Sequence, residues 1–318
     1  MSARWRFVAP PPDRPVEPVS TPTFSVIVAA YNVADLIGEA LESAFSQTVP
    51  PHEVIVVDDG STDDIEGAVA PYLDRIVFVR NPHLGQAATK NAAVEAATGD
   101  FVAILDADDI DLPERIEALG ALASARPDLD FVTTDAYLVE NGERVRQYYY
   151  EGHEFPVDDQ REAILRRSWV FNPAIRRSRW LEVGGYDAAF PSATDWECFI
   201  RLILSGSRVG LVDEPLVHYR QRPGRLTGNR VRLLESRVRT LEKTRATATG
   251  LSPSEQRTLD ATLRETRVRF AHETLRAGDA DARRASLAVA RTPGITLRTR
   301  ARAGAAALAP GLARRLMR

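Results

Sequence analysis

The sequence predicts an α/β protein: a mostly parallel central sheet flanked by helices, followed by a helical C-terminal extension. Three observations lead there. Strand-like and helix-like segments alternate through the first third of the chain, the pattern of parallel strands joined by crossover helices. The run from Phe101 to Leu105 is apolar throughout, as in a strand covered on both faces, and it ends in Asp106-Ala107-Asp108-Asp109. Beyond residue 230 the pattern is helical and rich in arginine.

The elements follow in order. Residues 24–30 are a Val- and Ile-rich strand, and 35–47 carry Leu36, Ile37, Ala40, Leu41, Ala44 and Phe45 at three- and four-residue spacing, a helix stopped by Pro50-Pro51. A strand at 53–57 ends in the turn-forming cluster Asp58-Asp59-Gly60-Ser61-Thr62-Asp63, with Asp63 read as an ordinary helix cap. A short helix to Tyr72, a strand at 76–79, a helix at 86–97 stopped by Gly99 and the 101–105 strand complete the alternation. A helix then begins near Pro113, where Asp109 is open between assisting at the site and capping that helix. Asn141-Gly142 predicts a hairpin between strands at 130–138 and 144–148. A helix at 158–167, a segment at 172–176, a Gly184-Gly185 turn, a helix at 195–204, and two short strands at 208–212 and 216–220 follow. The extension reads as helices at 230–247, 252–277 and 280–290, with a basic segment at 297–318. The predicted division is a flexible Pro-rich leader at 1–22, a catalytic α/β domain at 23–226 and an Arg-rich helical extension at 227–318.

Composition narrows the class. With 318 residues, 44% hydrophobic and 27% charged, the chain is of ordinary globular type, and no apolar run approaches the length of a membrane span. Residues 227–318 carry 20 Arg and Lys against 8 Asp and Glu, a net +12, which leaves −15 for the rest of a chain whose total is −3. The single cysteine, Cys198, excludes an internal disulfide and lies in an amphipathic run, where a packed thiol is expected. These features point to a cytoplasmic protein. The basic tail is open between packing on the catalytic domain, an oligomer contact, and a peripheral contact with anionic lipid at the inner face of the membrane. It lacks the interleaved aromatics and recognised modules of nucleic-acid binders.

Two carboxylates two residues apart at a strand's C-terminal end, the ligand-binding edge of an open α/β sheet, can both reach one hard cation. Six motifs stand around them in order: Phe24-Ser-Val-Ile-Val-Ala-Ala-Tyr-Asn32, Val56-Val-Asp58-Asp59-Gly-Ser-Thr-Asp63, Gly85-Gln-Ala-Ala-Thr-Lys90-Asn91, Leu105-Asp106-Ala-Asp108-Asp109, Val183-Gly184-Gly185-Tyr186-Asp187 and Thr194-Asp195-Trp196. Together they resemble the GT-A glycosyltransferases, specifically the large inverting family 2, over residues 23–222.

The resemblance implies a GT-A nucleotide-diphospho-sugar transferase fold and metal-dependent transfer of a sugar from a nucleotide-diphosphate sugar, UDP-linked by expectation. The acceptor would be a hydroxyl of a glycan, lipid-linked or other molecule in cell-surface polysaccharide or glycoconjugate synthesis. Asp108 is the expected direct ligand of Mn2+ or Mg2+, with Asp106 on the ribose or sharing the metal. Ala30, Tyr31, Asn32, Asp58 and Asp59 would form the nucleotide slot. Lys90 is open between the nucleotide and a neighbouring carboxylate. Asp195 matches the general base, although Thr194 replaces the family's usual Glu. His218 is expected as a third metal ligand or phosphate donor, and Arg220 or Arg222 as diphosphate contacts. Trp196 and Tyr186 are open between the sugar pocket and the core.

Other enzyme classes lack their loops here. A nucleotidyltransferase would place a Gly-rich basic loop after the first strand and a dinucleotide-binding dehydrogenase a G-x-G-x-x-G, and Ala29-Ala30-Tyr31-Asn32 is neither. A non-catalytic nucleotide-sugar or lipid-binding module on the same fold is the competing class. Loss of Asp108 or Asp195 would mark it, and both are present.

Overall fold

The structure, a computed structural model, describes residues 5–7, 21–140, 142–147, 155–221 and 229–316. Its first half alternates as the hydrophobic periods require: β1 (Trp5–Phe7), β2 (Phe24–Ala30), α1 (Ile37–Phe45), β3 (Glu53–Asp58), α2 (Ile65–Val69) with a 3-10 turn at Ala70–Tyr72, β4 (Val77–Arg80), α3 (Gln86–Ala96) and β5 (Phe101–Ile104). Then come β6 (Ile110–Asp111), α4 (Arg115–Ala125), β7 (Phe131–Glu140), β8 (Glu143–Gln147), α5 (Gln160–Arg166), β9 (Ala174–Arg176), α6 (Arg177–Glu182), α7 (Thr194–Leu204) and β10 (Val209–Arg220). Five helices close the chain: α8 (Arg230–Thr247), α9 (Pro253–Ala277), α10 (Ala282–Arg291), α11 (Leu297–Leu308) and α12 (Pro310–Leu316).

All ten described strands join one sheet, in the order β1-β10-β7-β9-β5-β2-β3-β4, with β6 on β10 and β8 on β7. Strands β4, β3, β2 and β5 are mutually parallel. The chain winds outward from β2 through β3 to β4, then returns to place β5 on the other side of β2. That reversal opens a crevice at the strands' C-terminal ends. Alternate residues of β2 serve opposite faces: Val26 and Val28 pack in one apolar cluster with α1, α2 and α4, and Ile27 in the other with α3, α5 and α7.

Two expectations need correction. Residues 5–7 are not part of a flexible leader: they pair antiparallel with β10, Trp5 opposite Val212, and so cover backbone groups that an edge strand would leave open. The two strands expected around Pro215 are one strand, because β10 absorbs that residue in register shifts between Val212 and Val217. A proline, lacking an N–H, is tolerated where the ladder is interrupted. The basic segment after residue 297 is helical, as the pattern beyond residue 230 predicts.

The extension packs on the catalytic domain, one of the readings its sequence left open. Val238, Leu241, Leu259, Leu263, Phe270, Ala271, Ala285 and Val289 share one buried cluster with Phe131, Trp196 and Phe199. Helix α9 opens with a capping box, Ser252 with Glu255, and closes on Gly278 at φ 70°. The Glu255 carboxylate also takes Arg161 of α5 at 2.7 Å. None of the described helices is long and apolar enough to cross a membrane.

Candidate active site

Three loops meet at the crevice. The first follows β2. Ala30 is buried and Tyr31 is 45% exposed, its ring stacked on His83 with centroids 4.3 Å apart. Asn32 adopts φ 52°, a left-handed geometry that asparagine tolerates better than most residues. Its Oδ1 accepts from Thr62 N (2.8 Å) and its N–H donates to Ser61 Oγ (2.9 Å), so Asn32 ties the first loop to the second.

The second loop follows β3, where the local backbone engages both aspartates. Asp58 Oδ1 accepts from Ser61 N at 3.0 Å and from its hydroxyl. Arg80 Nε lies 3.2 Å from Asp58 Oδ2, a charge contact without hydrogen-bond alignment. Asp59 Oδ1 accepts from Leu84 N (2.8 Å), both its oxygens face Gly85 N, and His83 Nδ1 lies 3.0 Å from Oδ2. These carboxylates fix the backbone of the loop, with Asp59 holding the entry to α3. Asp63 is not a helix cap: it accepts from Ala34 N at 2.8 Å, and Asp64 caps α2.

The third loop, Asp106 to Asp109, joins β5 to β6. Asp106 and Asp108 are half-buried, and Lys90, itself buried, donates to Asp106 Oδ1 at 2.8 Å. The pairing of Lys90 with a neighbouring carboxylate is therefore the arrangement found. Asp109 is fully buried and does not cap α4, whose N-cap is Glu114. It accepts instead from Arg220 N (3.0 Å) and Asn172 Nδ2 (3.4 Å). Arg220 further donates through Nε to the carbonyl of Asp108 and through Nη1 to Glu39, while Nη2 is a buried donor without a hydrogen bond.

His218 lies opposite Ile110 in the β10–β6 ladder, next to the aspartate loop. Its Nε2 accepts from Arg144 Nε at 2.9 Å, and burial, Arg144 and Arg220 together lower its pKa. Among the described residues no group of three His, Cys, Asp or Glu side chains is disposed to hold a metal. The donor set of Asp106 and Asp108 nevertheless fits a cation of the Mg2+ type, which is usually held by one or two carboxylates with substrate phosphates and water completing the shell. Arg222 lies outside the described residues.

Sequence reasoning missed the residue that anchors this loop. Arg115, fully buried, pairs with Asp111 at 2.5 Å and donates to the carbonyls of Ile104 (3.3 Å) and Asn172. Burial holds the Asp111 pKa above the ordinary range, Arg115 opposes that rise and Asp106 adds to it. Arg115→Met should cost about 3–5 kcal/mol by leaving Asp111 uncompensated. Losing Arg115 raises the Asp111 pKa further, so the deficit is full above that pKa and should shrink as acid protonates the carboxyl. Denaturant unfolding at several pH values reads both, and a deficit that grows in acid would contradict the assignment.

Asp195 stands at the start of α7. The N-cap is Ala193, in the left-handed region at φ 54° with no side-chain cap, so Asp195 lies in the first turn and is not the cap. It is exposed, whereas Thr194 and every residue from Trp196 to Ile200 are buried. Among the described residues its carboxylate has no hydrogen bond or ion pair. The buried phenol of Tyr186 has its pKa raised well above normal, first by burial and then by Cys198, Asp195 and Asp106. Tyr186 and Trp196 belong to the core, with Trp196 Nε1 on the Ile164 carbonyl at 2.7 Å. Burial pushes the Cys198 thiol up to about 12, which leaves it unreactive. Among the described residues, the non-glycine positions at positive φ are Asn32 in the first loop, Asn172, whose side chain reaches Asp109, and Ala193 before α7.

The turn before α7 is fastened by Asn91, whose side chain makes two 2.8 Å hydrogen bonds with the Tyr186 backbone. Gly185 has φ 66°, and a Cβ there would sit 2.4 Å from Asn91 Oδ1. Gly185→Ala should cost about 2–4 kcal/mol from strain and crowding together. An unchanged thermal midpoint would show that the turn is not fixed in this way. Lys243 of α8 reaches Asp187 (2.8 Å) and the buried Glu197 (2.7 Å), linking the extension to the same turn.

The comparisons agree with this geometry. Residues 25–187 match the family described as Glycosyl transferase family 2. The chain belongs to that family. An uncharacterized glycosyltransferase of Methanocaldococcus jannaschii is 30% identical over 207 residues, 63% of this chain and 71% of the relative. Solved structures of similar fold include Staphylococcus aureus TarS 1–349 in complex with UDP-GlcNAc, at TM-score 0.65 and 20% identity over 92% of this chain and 89% of that one. Another is the mannosyltransferase PcManGT from Pyrobaculum calidifontis, in complex with GDP-Man and Mn2+, at TM-score 0.56 and 22% identity over 98% and 89%. The fold is that of the GT-A glycosyltransferases, and the chain is a glycosyltransferase.

Proposed function

We infer that this family 2 enzyme transfers a sugar, with inversion, from a nucleotide-diphosphate sugar to an acceptor hydroxyl, with a divalent cation assisting. The observation that carries the reading is the Asp106/Asp108 pair after β5 together with the exposed Asp195 in the first turn of α7, with adjacent residues of α3 reaching both regions, Lys90 to Asp106 and Asn91 to the Tyr186 backbone in the turn before α7. The solved relatives hold UDP-GlcNAc, or GDP-Man with Mn2+.

The nucleotide lies across the switch point, on Ala30 and against the stacked Tyr31–His83 pair, in a slot shaped by Asn32, Asp58 and Asp59. Asp108 and Asp106 would hold the cation, which when bound would offset charge on the departing diphosphate. Lys90 orients Asp106, and the Arg220 Nη2 donor faces the phosphates. Asp195 accepts the acceptor hydroxyl's proton as that oxygen bonds to the anomeric carbon and the bond to the diphosphate breaks. Attack from the opposite face inverts the configuration. A UDP-linked donor and an acceptor in cell-surface polysaccharide or glycoconjugate synthesis complete the proposal.

The test is to incubate the protein with Mn2+ and a panel of nucleotide sugars, following diphosphate release and ligand-induced thermal shift. One donor should raise the thermal midpoint and release its nucleoside diphosphate. A panel without either response would sink the reading.

A further inference from the structure

The three most exposed large apolar side chains among the described residues lie close together near the C-terminal end: Leu297 (81%), Leu308 (85%) and Leu312 (60%). On α11, Leu297, Ala301, Ala305 and Leu308 follow one another at four-, four- and three-residue steps, so they form one exposed stripe. Leu312, on the α12 helix that follows at once, is exposed as well. The opposite side of α11 is occupied: Ala306 and Ala307 are buried, and Ala306 packs with Leu275 of α9 and Ala282 of α10. The helix is thus fixed to the protein by one face and presents leucine to solvent on the other.

The charges around the stripe have one sign. Residues 282–318 contain nine arginines and no Asp or Glu. Exposed Arg298 and Arg302 follow Leu297 and Ala301 by one position and so border the stripe on one side, and Arg300 borders it on the other. Exposed Arg315 lies on α12 beyond Leu312.

We propose that the outer face of α11 and α12 docks in plane on an anionic lipid bilayer, the leucines entering the headgroup boundary and the flanking arginines meeting lipid phosphates. A shallow apolar stripe edged by long cationic side chains suits that environment, because arginine can bury its stem while its head stays at the interface. A second copy of this chain is a poorer occupant, since a two-fold contact would set the same arginines against each other. Docking is independent of the catalytic reading: it uses none of the three crevice loops, and it would place the enzyme beside acceptors carried on lipid.

The experiment is sedimentation of the full chain with vesicles of phosphatidylcholine alone or mixed with phosphatidylglycerol, without donor or metal. Binding should require the anionic lipid and weaken as salt rises. Two variants separate the contributions: Leu297→Gln/Leu308→Gln/Leu312→Gln, and Arg298→Gln/Arg302→Gln/Arg315→Gln. Each should lower vesicle affinity on the order of 10²-fold at low salt while leaving the thermal midpoint unchanged, because all six side chains are exposed. Undiminished binding by both variants, no binding by the unmodified chain, or a dimer dissolved by the leucine substitutions would each overturn the proposal. Because no donor is present, vesicle binding fails or succeeds independently of donor binding.

Discussion

Asp195→Asn should reduce turnover by a factor on the order of 10²–10⁴ while leaving the fold and donor binding nearly unchanged. The expectation follows from where this carboxylate sits. It is exposed in a helical turn whose neighbours are buried, it does not cap the helix, and among the described residues it has no polar partner to stabilise. A buried or paired aspartate would lose stability on this change, and this one has nothing to lose. Asparagine preserves size and polarity but does not accept the proton. Turnover and thermal melting of the same preparation decide the matter. Near-normal turnover with a true acceptor removes Asp195 from the chemistry, and a collapse in stability makes it structural.

Asp108→Ala should lower turnover on the order of 10³-fold or more, since a cation on a departing diphosphate contributes several kcal/mol of charge stabilisation. The loop itself should survive. Arg220 holds the backbone carbonyl of Asp108, Asp109 holds the backbone of Arg220, and Arg115 anchors the preceding strand end. Loss of activity with an intact melting profile would place the defect at the cation. Full turnover of the unmodified enzyme in excess EDTA would instead remove the cation from the mechanism.

The parallel half of the sheet was legible in the sequence because each strand and helix there carries its own period, and the motifs at the strand ends fall on one edge once pairing is parallel. The position of Asp195 on α7 was legible too, as an aspartate before an amphipathic run. What escaped depends on partners distant in the chain. Nothing local shows that Trp5–Phe7 pairs with β10, or that β10 carries its pairing past Pro215. Asp58 and Asp59 read as ligand groups because their type and place suit one, yet the backbone of Ser61, Leu84 and Gly85 engages them. Arg115 is one charge at a helix start in sequence, and only the fold reveals it as the buried tie between β5, Asp111 and Asn172. For the extension, packing on the catalytic domain was one of the readings its sequence left open, and only the fold shows which apolar positions share that core.

The most direct test of the account is calorimetric titration of the unmodified chain with UDP, and with GDP in parallel, in Mn2+ and again in EDTA. The account predicts saturable binding of UDP in Mn2+ that is lost or much weakened in EDTA and in Asp108→Ala. Binding of equal strength with and without the cation would contradict the placement of the donor diphosphate on the Asp106/Asp108 loop, and so would the absence of binding to either nucleotide.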